Sequence, residues 1–302
     1  MKILLFGKDG QLGWELQRAL APLGDVVAVG SRERDPQGVD LGDADALSAK
    51  ARAVAPDWIV NAAAYTAVDR AQSEPELAER VNGEAVGALA RAARERDAWL
   101  VHYSTDYVFD GSGSAPWRED DPTGPLGAYG RSKLSGEEQI RASGCRHLIF
   151  RTSWVYSARG VNFVKTMLKL ARERDALKVV DDQIGAPTGA ELLADVTAHA
   201  VRRALGDRAL AGTYHLAAAG ETSWFDYARH AIARARQRGA AIRVAADAIA
   251  PIASAAYPQT ARRPLNSRLD TTKLRSAFDL VLPPWQAGVE RVVDELTESQ
   301  GV

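Results

Sequence analysis

The chain opens with a β-prone apolar run, Lys2-Ile3-Leu4-Leu5-Phe6, that passes straight into glycines at positions 7, 10 and 13 and then into the helical stretch Trp14 to Leu20. A buried strand, a glycine turn and a helix in that order make the opening of a βαβ unit, which commits the following strands to a parallel sheet. The same arrangement suits a dinucleotide. Glycines let the backbone approach a pyrophosphate, and the helix N-terminus offers unpaired N–H groups and a positive dipole end. The spacing is GxxGxxG rather than GxGxxG, so Gly7, Gly10 and Gly13 gain their meaning from the strand before them and the helix after them.

The rest of the chain keeps that rhythm. Val26 to Val29 reads as a second strand and Asp45 to Ala55 as a helix. Trp58-Ile59-Val60-Asn61 reads as the next strand, and Pro75 to Arg96 carries a long helical pattern. Trp99 to Ser104 is a strand, Ser112 to Gly127 a Gly/Pro-rich acidic loop, Tyr129 to Ala142 a helix and His147 to Thr152 a strand. This alternation predicts an α/β fold, a Rossmann-type doubly wound parallel sheet. Past residue 155 the pattern loosens. Helices are expected over Val161 to Arg174, Gly189 to Ala204, Ser223 to Arg238 and from Pro283 onward, with strands at Leu177 to Val180 and Gly212 to Leu216. Ala246 to Pro264 reads as loop. We expect residues 1–155 to form the dinucleotide domain. Residues 156–302 would form a smaller, mainly substrate-binding C-terminal region, with some segments returning to the first domain.

The second half of the site lies at Thr105 and at Tyr129-Gly130-Arg131-Ser132-Lys133. Tyr and Lys four residues apart share one helix face. A free Tyr has a pKa near ~10, and a neighbouring ammonium lowers it, which suits a proton donor to a carbonyl oxygen. Thr105, at the C-terminal end of a strand, offers a hydroxyl to the same oxygen, and ligands of open α/β sheets bind at those ends. Ala62, Ala63, Ala64, Tyr65 and Thr66 follow a strand end where small residues would admit a cofactor. After the second strand come Gly30, Ser31 and Arg32. An acidic residue there would favour NADH and an Arg suits a 2′-phosphate, so the reading leans to NADPH with NADH open. Asp40 and Leu41 fall where the next loop would contact the adenine.

Composition excludes several classes. With 302 residues, 46% hydrophobic and 25% charged, the chain has the make-up of a soluble globular protein. A net charge of -1 gives no reason to expect a nucleic-acid partner. Cys145 is the one cysteine, so neither an internal disulfide nor a thiolate metal cluster can form. No run approaches the roughly 20 apolar residues of a membrane span, and the N-terminus enters a strand without a signal peptide, so we expect a cytoplasmic protein with no membrane partner.

Longer segments carry a family resemblance. They are Leu4 to Gly13, Val60 to Asp69, His102 to Phe109, Phe150-Arg151-Thr152-Ser153-Trp154-Val155-Tyr156, Asp182-Gln183-Ile184-Gly185-Ala186-Pro187-Thr188 and Arg263-Pro264-Leu265-Asn266-Ser267-Arg268-Leu269. Through them nearly the whole chain resembles the extended short-chain dehydrogenase/reductases, and within these the dTDP-4-dehydrorhamnose reductases. The resemblance implies NAD(P)H-dependent reduction of the C4 ketone of dTDP-4-dehydro-β-L-rhamnose, the last step of dTDP-L-rhamnose synthesis. It implies Tyr129 as proton donor, Lys133 as the group that lowers its pKa and holds the nicotinamide ribose, and Thr105 as the group that polarises the ketone. Gly10, Gln11 and Leu12 would line the pyrophosphate, with Ala64, Tyr65 and Thr66 beside the cofactor. Asp106 and Trp154 would contact the dTDP-sugar, and Arg263 would pair with its diphosphate. Some members bind Mg²⁺ at a dimer contact through acidic side chains. Glu15 and Glu191 sit in the matching segments, which leaves a homodimer and that ion as expectations. Two glutamates are more often solvated helix-surface residues, so no metal site is assigned. The rival 4,6-dehydratases place Asp-Glu directly after the active-site Thr, whereas Thr105 is followed by Asp106-Tyr107. Two further alternatives are a reductase of another nucleotide-linked ketosugar and a non-catalytic dinucleotide-binding subunit like that of methionine adenosyltransferase.

Overall fold

The computed structural model describes residues 1–31, 36, 38–257 and 259–298. In chain order the first half contains β1 (Lys2–Phe6), α1 (Gln11–Leu20), β2 (Asp25–Val29), α2 (Ala44–Val54), β3 (Trp58–Asn61), α3 (Val68–Ala71), α4 (Pro75–Glu79), α5 (Ala85–Glu95), β4 (Trp99–Thr105), α6 (Ala128–Ser143) and β5 (Arg146–Thr152). The second half contains β6 (Val155–Tyr156), α7 (Phe163–Glu173), β7 (Leu177–Val180), β8 (Ile184–Gly185), β9 (Thr188–Gly189), α8 (Ala190–Ala204), β10 (Gly212–His215), β11 (Thr222–Ser223), α9 (Trp224–Gln237), β12 (Ile249–Ile252), α10 (Thr272–Phe278) and α11 (Trp285–Glu298).

The main sheet has six parallel strands in the order β2-β1-β3-β4-β5-β10. Its strands alternate strictly between two apolar layers. Ile3, Leu5, Val60, Val101, Leu148 and Phe150 face α1, α8 and α10, while Leu4, Phe6, Ile59, Leu100 and Ile149 face α2, α5 and α6. With helices on both faces, the strands carry apolar residues at successive positions, which is why they read as unbroken apolar runs. The chain runs outward to β2 from β1 and outward to β5 from β3. The order therefore reverses between β1 and β3, and a doubly wound sheet opens its ligand crevice at such a point.

Past β5 the chain both leaves and rejoins this sheet. β10 extends it beside β5, and α8 packs across α1. The remaining helices α7, α9 and α11 share a third apolar cluster with Leu177, Val179 and Ile249. The expected loop over Ala246 to Pro264 contains β12, paired in parallel with β7. Its sequence Ile-Ala-Pro-Ile hides the strand, because Pro251 lacks a ladder donor. The long helical pattern from Pro75 is interrupted at Arg80–Glu84 by a π turn. Such turns offer a side chain that a regular helix would not. Here it is Asn82. Its Oδ1 accepts from the Tyr65 N–H at 2.9 Å, while its Nδ2 donates to the Tyr65 carbonyl and to Ser132 Oγ, both at 3.0 Å. One buried amide thus ties the segment after β3 to the helix that carries Tyr129 and Lys133.

Candidate active site

One cleft runs along the C-terminal ends of β1, β3, β4 and β5. Its walls include Gly7, Gly10, Gln11 and Leu12 after β1, Ser31 after β2, Leu41, and Ala62, Ala63, Ala64 and Thr66 after β3. Thr105 and Asp106 come from β4 and the turn behind it, Tyr129 and Lys133 from α6, Trp154 from the end of β5, and Arg263 from the chain before α10. Residues picked from segments more than 250 positions apart therefore meet in one depression.

The glycine turn has the shape a pyrophosphate needs. Gly7 has a φ of +86°, and a Cβ there would stand 2.8 Å from the Ala63 backbone nitrogen, so no side chain fits. A Cβ on Gly13 would overlap the Gly7 carbonyl, which makes Gly13 a contact between helix and turn outside the cleft wall. Gly10 caps α1 without any side-chain cap, which leaves the first N–H groups of the helix for an anion. Gln11 is held from the far side. Its Oε1 accepts from Asn162 Nδ2 at 2.8 Å and from Ser157 Oγ at 3.2 Å. These residues fit a dinucleotide.

Not every expected cofactor residue reaches the wall. Tyr65 turns away, its hydroxyl donating to Glu74 at 2.6 Å. Asp40 is exposed and accepts the Gly42 N–H at 2.8 Å, folding its own loop while Leu41 reaches the cleft. Arg32 lies outside the described residues. Asp9, not singled out in the sequence, reaches across to Gly30, where a Cβ would collide with its carboxylate.

At the centre, Thr105 Oγ1 donates to Asp106 Oδ1 at 3.1 Å and accepts from the Tyr107 N–H at 3.2 Å. Tyr129 is half-buried beside them. Burial and the Asp106 charge push its hydroxyl above the ordinary phenol range, with the Thr105 hydroxyl pulling back. Tyr129 therefore carries its proton at neutral pH, the state from which a ketone reductase starts. In this cleft burial and Asp106 together outweigh any lowering of Tyr129 by Lys133. Lys133 is 2% exposed, and its Nζ lies 3.1 Å from His102 Nε2. Burial brings that ammonium down to about 8, so it remains charged at neutral pH. His102 is driven far below its usual range by burial and by Lys133. The i,i+4 spacing put Tyr and Lys on one face, but burial and the partner that β4 supplies set their protonation.

Asp106 is 1% exposed, and its Oδ2 has no hydrogen-bond partner. Burial pushes its carboxyl up to about 6, against the Ser267 and Thr105 hydroxyls. The folded protein thus binds a proton more tightly than the unfolded chain, and the charged carboxylate destabilises the fold increasingly from about pH 4 to about pH 6. Asp106→Asn is expected to raise stability by about 1–3 kcal/mol at neutral pH and to have little effect near pH 4. Denaturant melts at the two pH values check this; equal shifts at both would remove the electrostatic account.

Trp154 stacks on Trp224 with ring centroids 3.7 Å apart and planes at 17°, and its φ of +50° is rare for a residue with a side chain. The cleft sees one layer of a two-ring slab. Trp224 also borders the cleft, and the only sequence signal for it was an aromatic residue directly after the helix cap Ser223. Arg263 is at the rim but engaged. Its Nη2 meets Asp69 Oδ2 at 2.7 Å, and its Nη1 donates to the Tyr107 hydroxyl at 3.4 Å. Glu15 and Glu191 line a separate cavity, each within 3.3 Å of an arginine, Arg18 and Arg291. Among the described residues no group of three His, Cys, Asp or Glu side chains is placed to hold a metal, so the magnesium expectation gains no support. No helix among them is long and apolar enough to cross a membrane.

Comparison with known proteins gives the arrangement its relatives. The family model of the RmlD substrate binding domain matches residues 1–298. A dTDP-4-dehydrorhamnose reductase of Escherichia coli (strain K12) is 54% identical over 296 residues, covering 98% of each chain. A solved dTDP-4-dehydrorhamnose reductase ortholog from Clostridium acetobutylicum superposes with a TM-score of 0.87 at 34% identity, over 98% of this chain and 99% of its own. One from Bacillus anthracis, in complex with NADP, gives 0.87 at 32% identity over 97% and 99%.

Proposed function

The chain belongs to the family of the RmlD substrate binding domain, and from that membership we infer that it reduces the C4 ketone of dTDP-4-dehydro-β-L-rhamnose to dTDP-β-L-rhamnose with a nicotinamide dinucleotide. The observation that carries the reading is the meeting of Thr105, Tyr129 and Lys133 with the glycine turn of β1 in one cleft at the reversal point of the sheet.

In this reading Gly10, Gln11 and Leu12 hold the pyrophosphate, Ala62, Ala63 and Ala64 border the rest of the dinucleotide, and Ser31 flanks the adenosine ribose. The bound dinucleotide supplies a hydride. Tyr129 gives its phenolic proton to the oxygen that becomes an alkoxide, and Thr105 hydrogen-bonds the same oxygen. Lys133 supplies positive charge that opposes the negative charge left on Tyr129. These groups act on charge that develops in the transition state, where preorganised donors have their largest effect. Asp106 and the Trp154 ring hold the sugar, and Arg263 takes the diphosphate as a guanidinium suits. The division of labour between residues 1–155 and 156–302 belongs to the same reading. Tyr107 stands where a dehydratase needs a carboxylate, and it packs edge-on against Tyr129 with centroids 5.5 Å apart. An elimination lacks its second acid/base there.

For the cofactor we favour NADPH over NADH. No carboxylate grows from position 30, and a serine follows it, although Asp9 stands close enough to serve a ribose hydroxyl. The test is loss of reduced-nicotinamide absorbance with each dinucleotide in turn, on 4-keto sugar nucleotide made in situ. A higher kcat/KM with NADPH and formation of dTDP-L-rhamnose are expected. Turnover confined to NADH would reverse the preference, and binding of dinucleotide without turnover on this sugar would move the substrate to another ketosugar.

A further inference from the structure

The Thr105 hydroxyl has one proton and more acceptors than it can serve. It is given to Asp106 Oδ1 at 3.1 Å, while Tyr129 is a second neighbour whose hydroxyl Thr105 stabilises when ionised. A ketone oxygen in the cleft would be the third. A hydroxyl donates once. A charged carboxylate wins such a contest, because charge-assisted hydrogen bonds are roughly twice as strong as neutral ones. With Asp106 ionised, Thr105 therefore points at Asp106 and has nothing to give the substrate.

We propose that Asp106 is a positioning residue that acts in its neutral, protonated form, donating to Thr105 Oγ1 and so turning the Thr105 proton toward the substrate carbonyl. The inference rests on the reductase reading above. Two features of the cleft support it independently. Asp106 belongs to the cleft wall but is buried with Oδ2 unpartnered, so only the Thr105 and Ser267 hydroxyls stand near enough to offset its charge. Its charge also bears directly on Tyr129. When hydride adds to C4 and the Tyr129 proton passes to the new alkoxide, the phenol is left as a phenolate. Beside an Asp106 carboxylate that is a like-charge pair; beside the neutral acid it is not. Water then reprotonates the phenolate. Both effects favour the protonated acid, and burial makes that form accessible near pH 6.

The groups around Asp106 decide how the titration is read. Thr105 and Tyr107 flank it in the chain, Tyr129 faces it from α6, and Ser267 reaches it from the chain before α10. Lys133 on α6 and the Arg263–Asp69 pair at the rim carry the charges of the same cleft. Of these, Lys133 also titrates within a working range, near 8.

The experiment is the pH profile of kcat/KM for the sugar nucleotide, at saturating dinucleotide, for wild type, Asp106→Asn, Thr105→Ser and Thr105→Val. The wild-type value should fall roughly tenfold from about pH 6 to about pH 7.5. Asp106→Asn places a permanent donor beside Thr105 Oγ1. Whatever the level of its turnover, it should lose that limb, keeping only the later change due to Lys133. Thr105→Ser should keep the limb, and Thr105→Val, with no proton to redirect, should be slow and keep only the shallower part of it that comes from the Asp106 charge on Tyr129. The Thr105 pair keeps the test open if Asp106→Asn folds poorly. Turnover with the same limb in wild type and in Asp106→Asn, or a flat wild-type profile, overturns the positioning role and leaves the reductase reading intact. No turnover by wild type at any pH overturns both.

Discussion

Tyr129→Phe is expected to lower kcat by about 10²–10⁴-fold while leaving the Kd for dinucleotide within about twofold of wild type. The variant removes one oxygen from a half-buried ring that packs edge-on against Tyr107, so the packing survives and the proton donor does not. That hydroxyl holds its proton because burial and Asp106 raise its pKa. Thr105 is a far weaker acid, and Lys133 is engaged with His102 at 3.1 Å. The loss should appear in kcat more than in KM, since the proton moves only as the alkoxide forms. Dinucleotide titration by fluorescence, followed by single-turnover kinetics, measures both quantities. Turnover within a factor of five of wild type would remove Tyr129 as the acid.

The second large effect is on stability. Arg151→Met is expected to cost about 3–5 kcal/mol and to lower the melting midpoint by on the order of 10 °C. Arg151 and Glu137 are both buried, joined by two hydrogen bonds of 2.9 and 2.7 Å, with Arg141 adding a third contact to Glu137 from the surface at 3.1 Å. Burial raises the Glu137 pKa, but Arg151, with help from Ser104 and Arg141, pulls it below the ordinary value. The pair therefore stabilises the fold above the usual glutamate range and loses that contribution as pH falls through the lowered folded value. Removing Arg151 leaves a carboxylate in the core with one partner at the rim. Arg151 also lies 5.1 Å over the Phe109 ring and donates to the Glu119 carbonyl at 3.1 Å, so the loop before α6 loosens with it. The double variant Arg151→Met/Glu137→Leu should recover much of the loss, because a buried pair contributes less than the penalty for breaking it. Thermal melts of the three proteins decide the matter. An unchanged midpoint in Arg151→Met would mean the pair carries no stability.

Much of the architecture was legible because it is local. The strand–glycine–helix opening, the strand that ends at Thr105 and the four-residue step from Tyr129 to Lys133 are short-range patterns, and each became a piece of the cleft wall. What escaped notice depends on partners far away in sequence. His102 reads as one more residue of a strand until Lys133 meets it 31 positions later. Asn82 reads as a helix residue until a π turn aims it at Tyr65 and Ser132. Trp224 gains its place only when β5 ends against it. Lys133 shows the limit most directly. Its position was legible, but burial decided its charge balance, and the spacing said nothing about depth. The missed β12 has another cause, a proline in a four-residue strand whose pairing partner lies some 70 positions earlier.

The sixth strand has a consequence for the birth of the protein. β5 ends at residue 152 and its outer neighbour β10 begins at residue 212, about sixty residues later. At ~5–20 residues per second, a ribosome takes on the order of 3–12 s to make that stretch. Throughout it the edge of β5 presents unpaired backbone groups, and Leu148 and Phe150 lack the β10 side chains that later cover them. An open, apolar strand edge is a template for pairing with another chain. The interval between these two strands is therefore the window in which a nascent chain is most exposed to aggregation, and chaperone capture during synthesis should concentrate there.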